Sequence, residues 1–442
     1  MNELRFGIIG TGYMGKLEAR LAQRVPGCSL VGVWNRTADA AAALAQQLGC
    51  RHFASVEALL ADDDVNAVVV ATANHAHLGP VLQAARAGKH IFLEKPMALN
   101  VADCRAMMAA ARAAGVMLFL GHPQRFMDGV RAARAAIVAG EIGTPVAMRC
   151  ERIFWVDLRG PSPSWKMKRE LSGGHLFHHM HELCTARWLL GDYDTVVAQM
   201  ANLAHQADGP EAEDDVVQLA VRFRSGALGT FELGSAYRRR EHCMTIHGSE
   251  GTISIHWQAG KLTVAGKSGE VVRPMYDDPE EQQSSDEAYG LMTKGRVHGR
   301  PDEDVPLFLR ELVADEFRAM VAQANGAFTD TANADLFDDA GLRAVELAQK
   351  QREEEERQRR KVQAAIEANA EKQREERRDN DTKDTGDRGS GYFYFPVLET
   401  MDDVDDDAAI CAAFDSLMRR YGEIDDIVSK GIPRNLSVKE IK

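Results

Sequence analysis

At 442 residues, with 45% hydrophobic and 27% charged side chains, the chain exceeds one ordinary hydrophobic core and has the composition of a globular protein of at least two domains. A formal net charge of −13 argues against a nucleic-acid groove, which needs a basic face, and no apolar run approaches the roughly 20 residues of a membrane helix. Seven scattered cysteines, odd in number and never in a CxxC pair, fit unpaired thiols in a reducing compartment, so a cytoplasmic protein without nucleic-acid or membrane partners is expected.

The opening "MNELRFGIIGTGYMG" reads as a first strand rather than a signal peptide, because glycines and polar residues interrupt its apolar stretch. From there to about residue 120, β-branched runs ("SLVGVWN", "AVVVAT", "HIFLEKP", "VMLFLG") alternate with alanine-rich stretches at helical spacing ("LEARLAQRV", "ADAAAALAQQL", "VADCRAMMAAARAAG"). That alternation predicts an α/β domain with a doubly wound parallel sheet, a Rossmann domain over residues 1–122.

Between the first strand and the first helix stand Gly10, Gly12 and Gly15 as GxGxxG, so the Gly10–Gly15 loop (with Thr11, Tyr13 and Met14) is a candidate dinucleotide cradle. The second strand ends at Asn35 and Arg36, where an NAD-specific site usually carries a carboxylate on the ribose. A guanidinium there suits a 2′-phosphate, and the expected cofactor is NAD(P), with NADP slightly favoured over NAD.

After residue 145 the texture changes to alternating apolar and polar residues in "VAMRCERIFWV", "VVQLAVRFRSG", "LGTFELGSAY", "CMTIHGSEG" and "TISIHW", broken by glycine-containing turns. An α+β domain with a large, open, mostly antiparallel sheet is expected over residues 123–349, with helices in "VPLFLRELVADEFRAMVAQA" and "DLFDDAGLRAVELAQ" packing on one face of it. His242, His247 and His256 alternate with apolar residues and read as sheet-surface residues without a role. Residues 350–391 read as a solvated charged helix and a flexible linker, and 392–442 as a small C-terminal segment, a possible site for a protein partner.

The residues Glu94, Lys95 and Pro96 in "HIFLEKPMA", with "ATANHAHLGPVLQAARAGKH" before them and "GHPQRF", "GEIGTP" and "GSEGT" after them, resemble the Gfo/Idh/MocA oxidoreductase family over about residues 4–349. The resemblance implies an N-terminal Rossmann domain, a C-terminal domain with an open sheet that supports a homodimer or homotetramer, and oxidation of a sugar or polyol hydroxyl with NAD or NADP. It makes Lys95 the lysine beside the nicotinamide, and places Thr72, Asn74, His77 and Glu94 with the cofactor. His122 and Arg125 fall where such sheets gather substrate.

The family's second signature follows a glycine pair with Asp and, four residues later, a basic His. In "SGGHLFHHMHE" the glycine register puts His178 at the aspartate position and Glu182 at the histidine position, a departure from the pattern. Helical i,i+4 spacing suggests that the two form a dyad, His178 as base and Glu182 as its orienter, with Lys95 as the electrostatic partner. The same cluster offers a metal alternative through His175, His178, His179 and Glu182; His179 and His181 otherwise read as opposite-face residues. Trp165, Lys166 and His175 are further substrate candidates.

The resulting expectation is a dehydrogenase or reductase acting on a secondary hydroxyl, or its ketone, of a sugar, glycoside or cyclic polyol. An NAD-retaining lyase or glycosidase working through transient oxidation, and a non-catalytic nucleotide-binding regulator, are the alternatives.

Overall fold

The computed structural model describes residues 3–155, 165, 168–205, 214–293, 305–325 and 357. The first third folds as β1 (Leu4–Ile9), α1 (Tyr13–Ala22), β2 (Cys28–Trp34), α2 (Ala38–Leu48), β3 (Arg51–His52), α3 (Val56–Leu60), β4 (Ala67–Val70), α4 (Leu78–Arg86), β5 (His90–Leu93), α5 (Val101–Ala114) and β6 (Leu118–Leu120). These strands pair in parallel in the order β3-β2-β1-β4-β5-β6. The order reverses between β1 and β4, so the loops leaving these two strands diverge and open the crevice in which such sheets bind ligands.

The second sheet has eight strands: β7 (Pro145–Trp155), β8 (Tyr193–Ala201), β9 (Val216–Phe223), β10 (Leu228–Gly234), β11 (Ala236–Gly248), β12 (Thr252–His256), β13 (Lys261–Gly266) and β14 (Gly269–Pro274). Their order is β14-β13-β12-β11-β7-β10-β9-β8, antiparallel except for the β7–β10 pair. The chain's other helices are α6 (Asp128–Val138), α7 (Arg169–Ser172), α8 (His175–His178), α9 (Met180–Leu190), α10 (Pro279–Thr293) and α11 (Leu307–Ala324).

Period-2 alternation decides which face of this sheet is covered. In β9, Val217, Leu219, Val221 and Phe223 are buried while Gln218, Ala220 and Arg222 are exposed. The buried row joins Met148, Cys150, Met244 and Ile246 in one core with Val130 and Ala133 of α6 and Ala186 and Leu189 of α9. On the other face Val197 and Leu228 are exposed.

The "GEIGTP" and "GSEGT" turns lock onto each other. The Ser249 hydroxyl accepts from the Thr144 amide at 3.0 Å, and the Glu250 amide donates to the Ile142 carbonyl at 3.0 Å. Gly143 adopts φ 70°, and a Cβ there would stand 2.3 Å from the Ser249 hydroxyl, so no other residue fits without displacing the turn.

The placement of α11 corrects one expectation. Its apolar residues Val313, Ala314, Phe317 and Met320 enter the core of the Rossmann sheet, with the Phe317 ring 5.1 Å from both Phe6 and Phe92, while Leu312 and Phe308 join the core of the second sheet, so the helix serves both. An amphipathic stripe fixes that a helix is buried but not against which sheet. The stretch "DLFDDAGLRAVELAQ" and all of the C-terminal extension except Arg357 lie outside the described residues, as does Cys411. The six described cysteines are free thiols, and no helix among the described residues is long and apolar enough to cross a membrane.

Candidate active site

The glycine loop is built for close backbone approach. Gly10 has φ 102°, and a Cβ on it would meet the Ala71 carbonyl oxygen at 2.7 Å; a Cβ on Gly15 would meet the Gly10 carbonyl oxygen at 1.9 Å. Gly12, by contrast, has nothing within 4 Å of its Cβ position and starts α1 with no side-chain cap and no acidic residue in the first turn. The N–H groups and positive dipole end of α1 therefore face open space, the arrangement that receives a pyrophosphate. The hydroxyl oxygens of Thr11 and Thr72, on the loops leaving β1 and β4, are buried without a protein partner. These features fit a dinucleotide at the switch point. At the end of β2, Asn35 Oδ1 accepts from the Thr11 amide at 3.5 Å, and Arg36 is exposed beside it.

Lys95 follows β5, joined to Pro96 by a cis peptide bond, and its amide donates to Glu94 Oε2 at 3.1 Å. Two imidazoles lie within electrostatic reach of its ammonium. His122, at the exit of β6, and His181, on α9, have rings 6.0 Å apart in edge-to-face contact. Burial holds His122 well below the ordinary histidine range, with Arg125 and Lys95 adding to it; burial and then Lys95 do the same for His181. His122 Nε2 lies 3.6 Å from the Cys184 thiol, while His122 Nδ1 and His181 Nδ1 are buried with no protein partner. Neutral imidazoles beside a cation, each with one nitrogen unmatched, are suited to receive a hydroxyl or its proton.

The His178–Glu182 dyad is not assembled as the spacing suggested. Helix α8 ends at His178, and His179 leaves helical geometry at φ −97°, ψ 24°, before α9 resumes at Met180. Helical i,i+4 geometry therefore does not connect the two side chains. The Glu182 carboxylate is fully buried, and its Oε1 accepts from Gln124 Nε2 and Arg152 Nη1 at 2.8 Å each and from His242 Nε2 at 2.9 Å. Burial alone would raise its pKa, but Arg152 and His242 together hold it well below the usual carboxylate range.

His178 is half-buried, with its ring 5.9 Å from that of His175. His175 and His179 are both buried, and their Nε2 atoms are 2.7 Å apart, an imidazole–imidazole hydrogen bond. Among the described residues no group of three or more His, Cys, Asp or Glu side chains is arranged to hold a metal ion. His179, read as an opposite-face residue, is instead buried against His175.

The remaining candidates are scattered. Asn74 and His77 turn their side chains to backbone carbonyls of Ser172 and of Pro96 and Thr72. Arg125 is buried, its guanidinium 5.7 Å from the Trp188 ring. Trp165 is partly buried, and Lys166 lies outside the described residues.

Three residues of this network, Arg152, His242 and Gln124, are not among the sequence's candidates. His242, assigned to the sheet surface, is buried between Glu182 and the Tyr289 hydroxyl, 3.0 Å from its Nδ1. A signal was present: Arg152 continues the inward row of Met148 and Cys150, and His242 that of Met244 and Ile246. A polar residue in an apolar row calls for a buried partner.

Comparison with known proteins gives a consistent picture. Residues 4–122 match the model of an oxidoreductase family with an NAD-binding Rossmann fold, and residues 130–254 that of the GFO/IDH/MocA C-terminal domain. The chain is 35% identical over 327 residues to an uncharacterized oxidoreductase of Streptococcus pneumoniae serotype 4, covering 73% of this chain and 88% of that one. It is 34% identical to the 2,7-anhydro-N-acetylneuraminate hydratase of Escherichia coli K12, covering 71% and 84%. Levoglucosan dehydrogenase, solved with NADH and levoglucosan, superposes with a TM-score of 0.64 at 25% identity, covering 79% of this chain and 98% of that one.

Proposed function

Because the chain belongs to the Gfo/Idh/MocA oxidoreductase family, we propose that it is an NAD(P)-dependent dehydrogenase or reductase acting on a secondary hydroxyl, or the corresponding ketone, of a sugar, glycoside or cyclic polyol. The observation that carries the reading is the grouping of Lys95, after β5, with His122 at the exit of β6 and His181 on α9. The likeness to levoglucosan dehydrogenase supports it.

Gly10, Gly12, Gly15, Thr11 and Thr72 would hold the dinucleotide, whose nicotinamide accepts or returns a hydride. The chain's own residues handle the proton and the charge. The Lys95 ammonium stabilises the negative charge that develops on the substrate oxygen as its carbon becomes a carbonyl. A neutral imidazole takes the hydroxyl proton: His181, which lies near Lys95, is the first candidate, and His178 the second. Glu182 braces α9 against β7 and β11 through Arg152, His242 and Gln124 rather than orienting the base. Arg36 at the end of β2, with no carboxylate beside it in "WNRT", supports NADP over NAD. The exposed face of the eight-stranded sheet, with Val197 and Leu228, is the surface we assign to a homodimer or homotetramer.

A second reading keeps the same cofactor but returns the hydride within one turnover; its support is the similarity to a hydratase. A panel of sugars, glycosides and cyclic polyols incubated with NAD+ or NADP+ tests both. Net formation of reduced nicotinamide supports the dehydrogenase, substrate conversion without it supports the second reading, and neither outcome with any compound contradicts both.

A further inference from the structure

The segment between β4 and α4 carries Asn74 and His77, which the sequence placed with the cofactor. Asn74 is 7% exposed, and its Nδ2 donates to the Ser172 carbonyl at 2.8 Å, across 98 residues of chain. The Ser172 hydroxyl accepts from the Gly174 amide at 3.0 Å, and Gly174 opens α8 with its histidines. His77 is 1% exposed; its Nδ1 lies 2.9 Å from the Pro96 carbonyl and its Nε2 3.2 Å from the Thr72 carbonyl. Burial keeps the imidazole neutral, and a neutral ring has one N–H, which belongs on Nδ1, toward the nearer acceptor.

We infer that Asn74 and His77 are positioning residues: the turn between them is a strut that sets the Lys95 loop against the histidine-bearing α7–α9 segment. The two ends of the strut are anchored differently. His77, on the segment that leaves β4, donates from Nδ1 to the Pro96 carbonyl and so ties that segment to the cis-Pro96 loop that carries Lys95; its unprotonated Nε2 makes no hydrogen bond to the Thr72 carbonyl 3.2 Å away. Asn74 ties the same turn to the glycine pair that precedes His175, and His75 Nδ1 lies 3.4 Å from the Leu171 carbonyl, beside that anchor. A displacement of about 1 Å between Lys95 and the imidazoles would leave both groups present but misaligned for one substrate oxygen.

The inference rests on the dehydrogenase reading for its kinetic test. Four proteins suffice: wild type, Asn74→Asp, His77→Leu and His77→Asn, assayed with a compound that the wild type oxidises, with NADH affinity read separately by nicotinamide fluorescence. Asn74→Asp removes the donor at constant shape. His77→Asn puts an amide nitrogen close to where Nδ1 stands, and His77→Leu removes both nitrogens. Asn74→Asp and His77→Leu are expected to lower kcat by about tenfold or more while NADH Kd and sugar KM shift less than about threefold, with His77→Asn recovering most of kcat.

An NADH Kd weakened about tenfold with kcat retained would overturn the inference, making these residues cofactor contacts. Equal loss in His77→Asn and His77→Leu would also overturn it. If the wild type oxidises nothing, amide hydrogen exchange decides independently of the functional reading. Faster exchange at Gly174 in Asn74→Asp with NADH affinity unchanged supports the strut, and unchanged exchange contradicts it.

Discussion

The Arg152 guanidinium donates to Oε1 of Glu182 at 2.8 Å, joining β7 to α9 through a carboxylate that is wholly buried. Removing one partner strands the other charge in the core. Arg152→Met should therefore destabilise the protein by about 3–5 kcal/mol, and Arg152→Met with Glu182→Leu should recover a large part of that loss. Denaturant titration of the two variants checks both.

The same pair sets an acid limit. The Glu182 carboxyl is held well below its usual value of 4.5, so its contribution to stability is fully present above that value and is lost as pH falls through the lower folded one. Thermal midpoints measured down the acid range should drop more steeply in the wild type than in the Arg152→Met, Glu182→Leu double variant.

Two other carboxyls work in the opposite sense. Glu18 on α1 and Glu316 on α11 are fully buried; burial first, and the Glu94 carboxylate second, push both well above 4.5. Their folded states hold protons that the unfolded chain releases, so they favour folding at low pH and this advantage is lost as pH rises from about 4.5 through the folded values. Glu18→Gln should raise neutral-pH stability by about 1–2 kcal/mol and flatten its fall with rising pH. Denaturation curves at several pH values would show it.

His181 and His178 can be separated by substitution, and the acid limb tests His181 directly. With burial and Lys95 keeping His181 neutral, oxidation should persist to a pH below the ordinary histidine value of 6.5, and Lys95→Met should move the remaining activity's acid limb upward. His181→Asn should lower kcat by about 10²–10⁴-fold, and His178→Asn by less. Pre-steady-state rates across the acid range read both effects. Equal losses would shift the base to His178.

Arg36→Ala should weaken NADP+ binding by about tenfold, about 1.4 kcal/mol, and leave NAD+ binding nearly unchanged. Fluorescence titration of both cofactors measures the ratio.

The Rossmann half was readable because its signals are local: glycine positions, short apolar strands and crossover helices repeat along the chain. The open sheet was readable for the same reason, through period-2 alternation. The site was less so, because its decisive contacts join residues far apart in sequence, such as Asn74 with Ser172 and Glu182 with His242. Helical spacing failed at His179, where a single non-helical residue ends the face that His178 and Glu182 were expected to share. Phe317 shows the same limit for packing, since a stripe on α11 does not name the sheet it meets.

Wild type and Lys95→Met assayed side by side for reduced nicotinamide, with levoglucosan, myo-inositol and related sugars and either cofactor, test whether Lys95 serves hydride transfer from a sugar hydroxyl. The wild type should oxidise at least one compound, and Lys95→Met should lose about 10²–10³-fold in kcat with NADH affinity retained. Turnover that survives undiminished in Lys95→Met would contradict that role.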